Sequence, residues 1–133
     1  MIVVDANIIA YLVVKSEHST MAQRVAEKDM EWCAPRLWRS EMLNVLTGFV
    51  RSGGMSVDGA LSVLRDARLA VISDITVDDR EVLELVRISR CSSYDCEYVA
   101  AAEALHVPLV TADKQILRSF PNIAISMSSF LGQ

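Results

Sequence analysis

The sequence contains few residues of the kinds that tie a small chain together covalently or through a metal. It has three cysteines and two histidines among its 133 residues. An odd number of cysteines argues against a disulfide framework, and no cysteine–histidine spacing fits a structural zinc site. We therefore expect Cys33, Cys91 and Cys96 to be reduced thiols that pack as small apolar side chains in a cytoplasmic protein.

Long apolar runs are also missing from the chain. The longest unbroken apolar run covers residues 8–14, whereas a membrane-spanning helix needs about 18 or more residues. Asp5 interrupts the apolar N-terminal segment and no basic residue precedes it, so this segment is not typical of a secretory signal. We expect no association with a membrane.

An excess of basic charge is the third missing feature. Lysine and arginine number 13 and the acidic residues number 17, which gives a net charge of −4. Taken alone, this balance argues weakly against a nucleic-acid partner. The 52% hydrophobic content excludes intrinsic disorder, which requires low hydrophobicity. Because one domain usually has roughly 100–200 residues, we expect residues 1–133 to form a single domain.

Short apolar runs alternate with helical patterns along the chain. Strands are predicted at residues 1–4, 32–34, 69–75, 107–111 and 123–125. Helices are predicted at residues 7–15, 20–28, 36–51, 56–68, 76–90, 92–105 and 113–119. Capping-box patterns at Thr76 and Ser92 mark two of the helix starts. The alternation predicts an α/β fold, in which helices cover both faces of a central, mainly parallel sheet as a three-layer α/β/α sandwich.

Two acidic residues follow predicted strands. Asp5 comes directly after the first strand, and Asp113 follows the strand at residues 107–111. In parallel sheets the ligand binds in a crevice at the carboxyl ends of the strands. Both carboxylates are therefore expected at the edge of the sheet where a ligand would bind.

Two further acidic residues lie on predicted helices. Asp95 is in the first turn of the helix at residues 92–105. Glu41 is in the middle of an amphipathic helix, and its neighbours four residues away on either side are Leu37 and Val45. A carboxylate at the edge of an apolar stripe is partly turned toward the interior, where an unpaired charge is costly.

Each of these carboxylates also has an explanation that needs no ligand. Asp5 and Asp113 can cap the helices that follow them. Asp95 can close a capping box with Ser92, and Glu41 can reach water with its long side chain. Four carboxylates on one side of a sheet, however, repel each other unless a cation neutralises them. Ligands that are all oxygen select a hard divalent ion, Mg²⁺ or Mn²⁺.

A site of this kind suits metal-assisted hydrolysis of a phosphodiester bond. One ion, or two ions about 3.5–4 Å apart, can activate a water molecule and stabilise the leaving oxygen. Asn7 and Thr111 are supporting candidates that can hydrogen-bond a bound water or the scissile phosphate, or they are an ordinary helix-start Asn and strand Thr. Six basic residues that form no visible stripe are candidate phosphate contacts: Lys15, Arg36, Arg39, Arg51, Lys114 and Arg118.

The segments around these residues resemble the PIN-domain ribonucleases, and within them the VapC-type toxins of toxin–antitoxin pairs. The similar segments are Ile2-Val-Val-Asp5-Ala-Asn7, Ala34-Pro35 through Ser40-Glu41 to Leu46, Tyr94-Asp95 to Ala100 with Ala102-Glu103, and Pro108-Leu-Val-Thr111-Ala-Asp113. One such segment is a weak signal. The four together, in this order and spacing, are fairly specific and cover the chain from residue 2 to about residue 118.

The resemblance implies the fold, the site and the activity of the chain. It implies an α/β/α sandwich and cleavage of RNA, often tRNA or rRNA, that depends on Mg²⁺ or Mn²⁺. The acidic metal site that it implies is formed by Asp5, Glu41, Asp95 and Asp113. It also implies a homodimer and a small cognate antitoxin whose C-terminal segment blocks the site. The apolar residues Met30, Trp32 and Phe130 look exposed, which would suit a dimer.

Two positions need comment beside this resemblance. His106 stands where relatives often have a glycine that closes the helix, and histidine can adopt the left-handed conformation at modest cost. Glu97 adds an acid near Asp95, but two helical steps of about 100° each turn it to a different face. We therefore place Glu97 outside the expected site.

Two other functions are open from the sequence. A receiver-type phospho-acceptor domain would share the parallel sheet and the acids at strand ends. It needs two adjacent acids after the first strand and one after the third, whereas here Ala6 follows Asp5, and Asp74 lies inside a predicted strand. A non-catalytic PIN-like module that binds RNA or protein is the second alternative, and the presence of all four acids argues against it.

Overall fold

A computed structural model describes the whole chain, residues 1–133. Its strands are β1 (Ile2–Val4), β2 (Trp32–Pro35), β3 (Val71–Ile75), β4 (Leu109–Val110) and β5 (Ala124–Ile125). Its helices are α1 (Ala6–Val13), α2 (Ser19–Lys28), α3 (Trp38–Arg51), α4 (Val57–Ala70), α5 (Asp79–Arg87), α6 (Ser93–Leu105), α7 (Lys114–Ser119) and α8 (Met127–Phe130).

The five strands form one sheet in the order β3-β2-β1-β4-β5. All four strand pairs are parallel, and the central strand places Val3 beside Cys33 on one side and Leu109 on the other. Every residue of β1 is buried, because helices pack on both faces of a parallel sheet. The expected α/β/α sandwich with a parallel sheet is confirmed, and all of its strand pairs are parallel.

Helix α6 lies in the middle of the core. It packs on β1, β2 and β4, and α5 covers it from outside. Residues 98–102 are all buried, and three of them are alanines, whose small side chains let the helix approach the sheet closely. Burial on all sides, rather than along one stripe, explains why this helix shows little amphipathic pattern. The backbone of α6 is therefore held firmly against the sheet.

The ends of several elements differ from the sequence-based expectation. Helix α5 begins at Asp79, with Asp78 as its cap, so the expected start at Thr76 is wrong. The carboxylate of Asp78 accepts a hydrogen bond from the amide of Arg80. This cap fixes the start of α5 after Asp78 rather than at Thr76. The C-terminal residues, for which no element was predicted, form the short helix α8 behind the cap Ser126.

Trp32 corrects the expectation of an exposed apolar surface. Its side chain is buried within β2, and its indole N–H donates to the carbonyl of Asp29 at 2.8 Å. Met30 is exposed, and Phe130 is half-buried under the side chain of Lys28. Trp32 therefore belongs to the core and lends no support to a dimer interface.

Several smaller expectations can be compared with the structure. Cys33, Cys91 and Cys96 are free and buried, in agreement with their expected packing as small apolar side chains. His106 adopts the left-handed conformation after α6, with φ 56° and ψ 42°. None of the helices is both long enough and apolar enough to span a bilayer.

Candidate active site

The strand order reverses between β1 and β4, and a crevice is expected at this point of the sheet. From β1 the chain runs to β2 and β3 on one side, whereas β4 and β5 lie on the other side. The helices that follow β1 and β4 diverge from such a point, which leaves a crevice at the carboxyl ends of the two strands. Asp5 is the single residue between β1 and α1, and Asp113 caps α7 just after β4.

A cavity of about 550 Å³ opens at this point. Its lining includes all four acids expected from the sequence: Asp5, Glu41, Asp95 and Asp113. The other lining residues are Ala6, Asn7, Leu37, Ser40, Asn44, Val45, Tyr94 and Tyr98. Four segments that are far apart in the sequence therefore deliver their carboxylates to one cavity.

Asp5 is anchored by both of its carboxylate oxygens. Oδ1 accepts a hydrogen bond from the amide of Ile8 at 3.1 Å, which caps α1. Oδ2 accepts a hydrogen bond from the hydroxyl of Thr111. The Thr111 oxygen in turn accepts a hydrogen bond from the amide of Asp113 at 3.0 Å. Thr111 is fully buried and does not line the cavity, so it supports Asp5 from behind rather than meeting a ligand.

The two remaining acids at helix starts keep free oxygens. Asp113 caps α7 through Oδ1, which accepts from the amide of Ile116 at 3.0 Å. The amide of Asp95 donates to Oγ of Ser92 at 3.1 Å, and the same Ser92 lies close enough to the carboxylate to oppose the rise of its pKa. The capping role expected as an alternative is thus real for Asp5 and Asp113, and it leaves Oδ2 of Asp113 without a protein partner.

Glu41 makes one contact with a distant part of the chain. The row Leu37, Glu41 and Val45 on α3 lines the cavity, as the four-residue spacing of a helix face predicts. Oε1 of Glu41 accepts a hydrogen bond from the hydroxyl of Tyr98 on α6 at 2.6 Å. Glu41 is therefore half-buried and paired, rather than extended into water.

Burial and the charges of neighbouring acids raise the pKa values of Asp5, Glu41 and Asp95. Burial raises the pKa of Asp5 to about 6, opposed by its hydrogen bonds to Thr111 and Ile8 and assisted by the charges of Glu41 and Asp113. The pKa of Glu41 is also raised, first by burial and then by the charge of Asp95, against the contact with Tyr98. Raised pKa values of this origin mark a cavity that favours a positive charge.

Burial is also the main cause of the raised pKa of Asp95, followed by the charge of Asp113. The nearby Ser92 opposes this rise. Glu97 has a raised pKa through burial and the charges of Glu41 and Asp79, but it does not line the cavity. Glu97 therefore lies beside the four acids without joining them, on the different helix face that was expected.

The cavity contains no basic side chain to offset these charges. None of the six basic residues considered as phosphate contacts is among the lining residues. The chain has three ion pairs, and none of them involves an acid of the cavity. Any phosphate that enters the cavity therefore meets no positively charged side chain, unless a cation comes with it.

The donor set fits a hard divalent cation bound partly through water. Oε2 of Glu41 and Oδ2 of Asp113 accept no hydrogen bond from the protein, and the carboxylate of Asp95 has only the nearby Ser92 as a protein partner. No three acidic, histidine or cysteine side chains lie close enough to ligate one ion directly. Mg²⁺ commonly keeps several waters and takes only one or two protein carboxylates together with substrate phosphate, so a closed cage is not required.

Four lining residues were not singled out from the sequence. Ser40, Asn44, Tyr94 and Tyr98 each lie within three residues of an expected acid. Asn44 and Tyr98 come three residues after Glu41 and Asp95, which places each pair on one helix face. That spacing is a usable signal, but the sequence offers no reason to select these residues over other neighbours.

The fold and the cavity define an α/β protein with an acidic crevice at the turning point of its sheet, and comparisons with known proteins place it in a family. The sequence model of the family described as the PIN domain matches residues 2–122 of the chain. The chain therefore belongs to the PIN-domain family.

Two proteins of Pyrobaculum aerophilum are similar to the chain. One is "Ribonuclease VapC3", which is 29% identical over 124 residues that span 90% of this chain and 95% of the relative. The other is known from the "Crystal structure of PAE2754", which aligns with 99% of this chain and 97% of that one. Its TM-score is 0.69 at 23% sequence identity, a likeness that supports the fold alone.

Proposed function

We propose that the chain is an endoribonuclease that hydrolyses RNA phosphodiester bonds with Mg²⁺ or Mn²⁺, and that it acts as the toxin of a toxin–antitoxin pair. The observation that carries the chemistry is a cavity with four carboxylates and no basic side chain, at the carboxyl ends of β1 and β4. Similarity to a relative named as a ribonuclease supports RNA as the substrate. The motifs shared with VapC-type toxins support the toxin role.

In this proposal Asp5 is anchored by the fold, whereas the other three acids offer oxygens to the ion. Asp5 is fixed by two hydrogen bonds and holds its charge at the floor of the cavity. Glu41, Asp95 and Asp113 keep oxygens that can hold the ion or its water ligands. A bound divalent ion would supply the positive charge that activates water and stabilises the leaving oxygen. The exposed amide of Asn7 lies in the lining, where it can donate to a phosphate oxygen.

The strand order of the sheet contradicts the receiver-type alternative. Receiver domains have the strand order 2-1-3-4-5, whereas this sheet has the order β3-β2-β1-β4-β5. Asp74 lies inside β3, and its carboxylate accepts a hydrogen bond from the indole of Trp38 at 2.7 Å. It is therefore a structural side chain that ties α3 to the sheet.

Asp95→Asn is the sharpest test of catalysis, because the side chain that caps α6 is that of Ser92 rather than Asp95, and asparagine keeps the shape of aspartate. We expect the rate of RNA cleavage with Mn²⁺ to fall by at least about 100-fold, since stabilisation by a bound ion is worth several kcal/mol and about 1.4 kcal/mol is tenfold in rate. The assay follows cleavage of total tRNA and rRNA on gels, with circular dichroism as the check of folding.

The matched control is Asp66→Asn, which neutralises an exposed aspartate of α4 outside the cavity. It should cleave RNA at the rate of the natural chain, and a chelator should abolish cleavage by both. Undiminished activity of Asp95→Asn would refute the site. Binding of RNA without any cleavage, in the natural chain with Mn²⁺, would instead establish the non-catalytic module.

The toxin role is tested separately in cells. Induction of the natural chain should slow growth, and induction of Asp95→Asn at the same level should not. Sequencing of RNA 5′ ends after a short induction should show cleavage sites that are absent with the variant, and it would identify the target. Normal growth together with active cleavage in vitro would support the nuclease activity and contradict the toxin role.

An antitoxin and a homodimer are part of the same proposal. Both rest on the resemblance to VapC-type toxins. A dimer is tested by light scattering at micromolar concentration, where a monomer mass would contradict it. An antitoxin is tested by co-expression of the chain with candidate small proteins from the same genome, one of which should restore growth and block cleavage.

A further inference from the structure

Tyr98 is the only lining residue whose side chain binds one of the four acids. It lies on α6, three residues after Asp95, and it is buried. Its hydroxyl donates to Oε1 of Glu41 on α3 at 2.6 Å, across 57 residues of sequence. No other hydrogen bond between side chains joins α3 to α6, so the position of this carboxylate relative to α6 depends on this contact.

The second oxygen of Glu41 is left available by this arrangement. Oε2 accepts no hydrogen bond from the protein. No buried side-chain oxygen or nitrogen in the chain lacks a partner, so Oε2 is reached by solvent rather than enclosed. Because Glu41 lines the cavity, we infer that Oε2 is accessible from the cavity. One oxygen is therefore held and the other is free.

We propose that Tyr98 is a positioning residue for Glu41, which holds Oε1 so that Oε2 is presented to a divalent cation in the cavity. The proposal rests on the metal-dependent function given above. Carboxylates that ligate metals are themselves commonly hydrogen-bonded, and loss of such a supporting contact typically lowers metal affinity by about 10–100-fold.

The surroundings of Tyr98 explain why a phenol suits this task. The ring packs in the core, and a buried hydroxyl needs a partner, which Glu41 supplies. Burial, and then the contact with Glu41, raise the pKa of Tyr98 far above its usual range, so the phenol remains a donor. A free glutamate would lose side-chain freedom when it binds an ion, whereas a glutamate that is already held loses less.

The test compares the Mn²⁺ affinity of the natural chain with Tyr98→Phe by isothermal titration calorimetry without RNA. The variant removes one oxygen atom and keeps the buried ring. We expect its Mn²⁺ affinity to fall by about 10-fold or more. The control is Tyr11→Phe, which removes a hydroxyl without a hydrogen-bond partner from α1, outside the cavity, and should leave the affinity unchanged.

A double-mutant cycle with Glu41→Gln separates positioning from a general structural effect. In the Glu41→Gln background, Tyr98→Phe should change Mn²⁺ affinity by less than about 2-fold, because its action passes through the carboxylate. An equal loss of affinity in both backgrounds would overturn the proposal. If Tyr98→Phe bound Mn²⁺ as tightly as the natural chain, the positioning role would be overturned, whereas the proposed nuclease function would stand. No Mn²⁺ binding by the natural chain would overturn both.

A crystal structure of the natural chain with Mn²⁺ keeps the proposal falsifiable if Tyr98→Phe does not fold. The hydroxyl of Tyr98 should remain on Oε1 of Glu41, with the ion or one of its waters on Oε2. An ion bound to Oε1, or a broken contact with Tyr98, would overturn the proposal while supporting the metal site.

Discussion

Asp5 anchors the fold with the same carboxylate that it contributes to the candidate site. Its two oxygens cap α1 and bind Thr111, yet the side chain is buried beside other acids. The raised pKa means that the folded state holds the proton more tightly than the unfolded chain does. Stability contributed by this proton is fully present below a pH of about 3.8 and is lost as the pH rises through about 6. At neutral pH the ionised carboxylate therefore opposes folding.

Asp5→Asn should stabilise the metal-free chain at neutral pH. The amide oxygen of asparagine can still cap α1, and its NH₂ can donate to Thr111. A pKa raised from 3.8 to about 6 corresponds to at most about 3 kcal/mol of destabilisation by the ionised form. Because the hydrogen bonds also weaken, we expect a net gain of about 1–2 kcal/mol at pH 7.5, measured by urea unfolding with a chelator present.

The gain should shrink as the pH falls from about 6 toward 3.8, because the natural Asp5 then becomes neutral in the folded state. Asp66→Asn is the control and should show no comparable trend. A destabilised Asp5→Asn at pH 7.5 would mean that the hydrogen bonds of the carboxylate outweigh its burial.

At the scale of single elements, local capping sets where most helices begin. Ser56, Ser92 and Ser126 each accept a hydrogen bond from an amide in the first turn of the following helix. The starts at Ser56 and Ser92 are predicted from the sequence because the cap and its partner are three residues apart, whereas the short helix behind Ser126 was not predicted. The start of α5 was misplaced at Thr76, since the capping-box pattern and the cap at Asp78 compete within one short segment.

The end of α6 gives a prediction about backbone strain. His106 has a positive φ of 56°, a conformation that costs a non-glycine residue about 1–2 kcal/mol. His106→Gly relieves this cost but gives the unfolded chain more freedom. We therefore expect a net gain in stability of about 0.5–1 kcal/mol, measured by urea unfolding.

The matched control for His106→Gly is the opposite change at a glycine of similar backbone conformation. Gly53 has a φ of 77°, and an added Cβ would meet nothing within 4 Å, so only the conformation opposes a side chain. Gly53→Ala should lower stability by about 1 kcal/mol. If both variants changed the free energy of unfolding in the same direction, the contacts of His106, rather than its backbone conformation, would determine the result.

At the scale of the whole molecule, the strand order decides which acids meet. β1 and β4 are neighbours in the sheet although more than a hundred residues separate Val3 from its partner Leu109. This pairing brings Asp5 and Asp113 to one crevice, while α3 and α6 add Glu41 and Asp95. The excess of negative charge is then concentrated where a cation can reduce the repulsion.

Binding of Mn²⁺ should therefore stabilise the whole chain. At a concentration 100 times the dissociation constant, a ligand that binds only the folded state adds about 2.7 kcal/mol. For a chain of this length that corresponds to a rise in Tm of roughly 10 °C. Scanning calorimetry with and without Mn²⁺ measures the shift, which Asp95→Asn should diminish and Asp66→Asn should retain. A Tm that is indifferent to Mn²⁺ would argue against a metal site.

The sequence by itself determined the alternation of strands and helices, the parallel sheet and the acids at the strand ends. Apolar periodicity and helix caps are local signals, so residues a few positions apart are enough to define them. The same local logic placed Glu41 at the edge of the apolar stripe of α3. Trp32 shows its limit, because its place in a predicted buried strand and its closeness to exposed Met30 gave conflicting local signs, and only the packing of β2 decided between them.

Only the tertiary structure decided the contacts that hold the acids in place. The hydroxyl of Tyr98 meets Glu41 across 57 residues, and Thr111 meets Asp5 across 106 residues. Such hydrogen bonds depend on strand order and on how α6 packs against the sheet, and no local pattern in the chain encodes either of them. The sequence left open whether Thr111 supports a ligand or is an ordinary strand threonine, and the pairing of β4 with β1 brings its hydroxyl to Asp5.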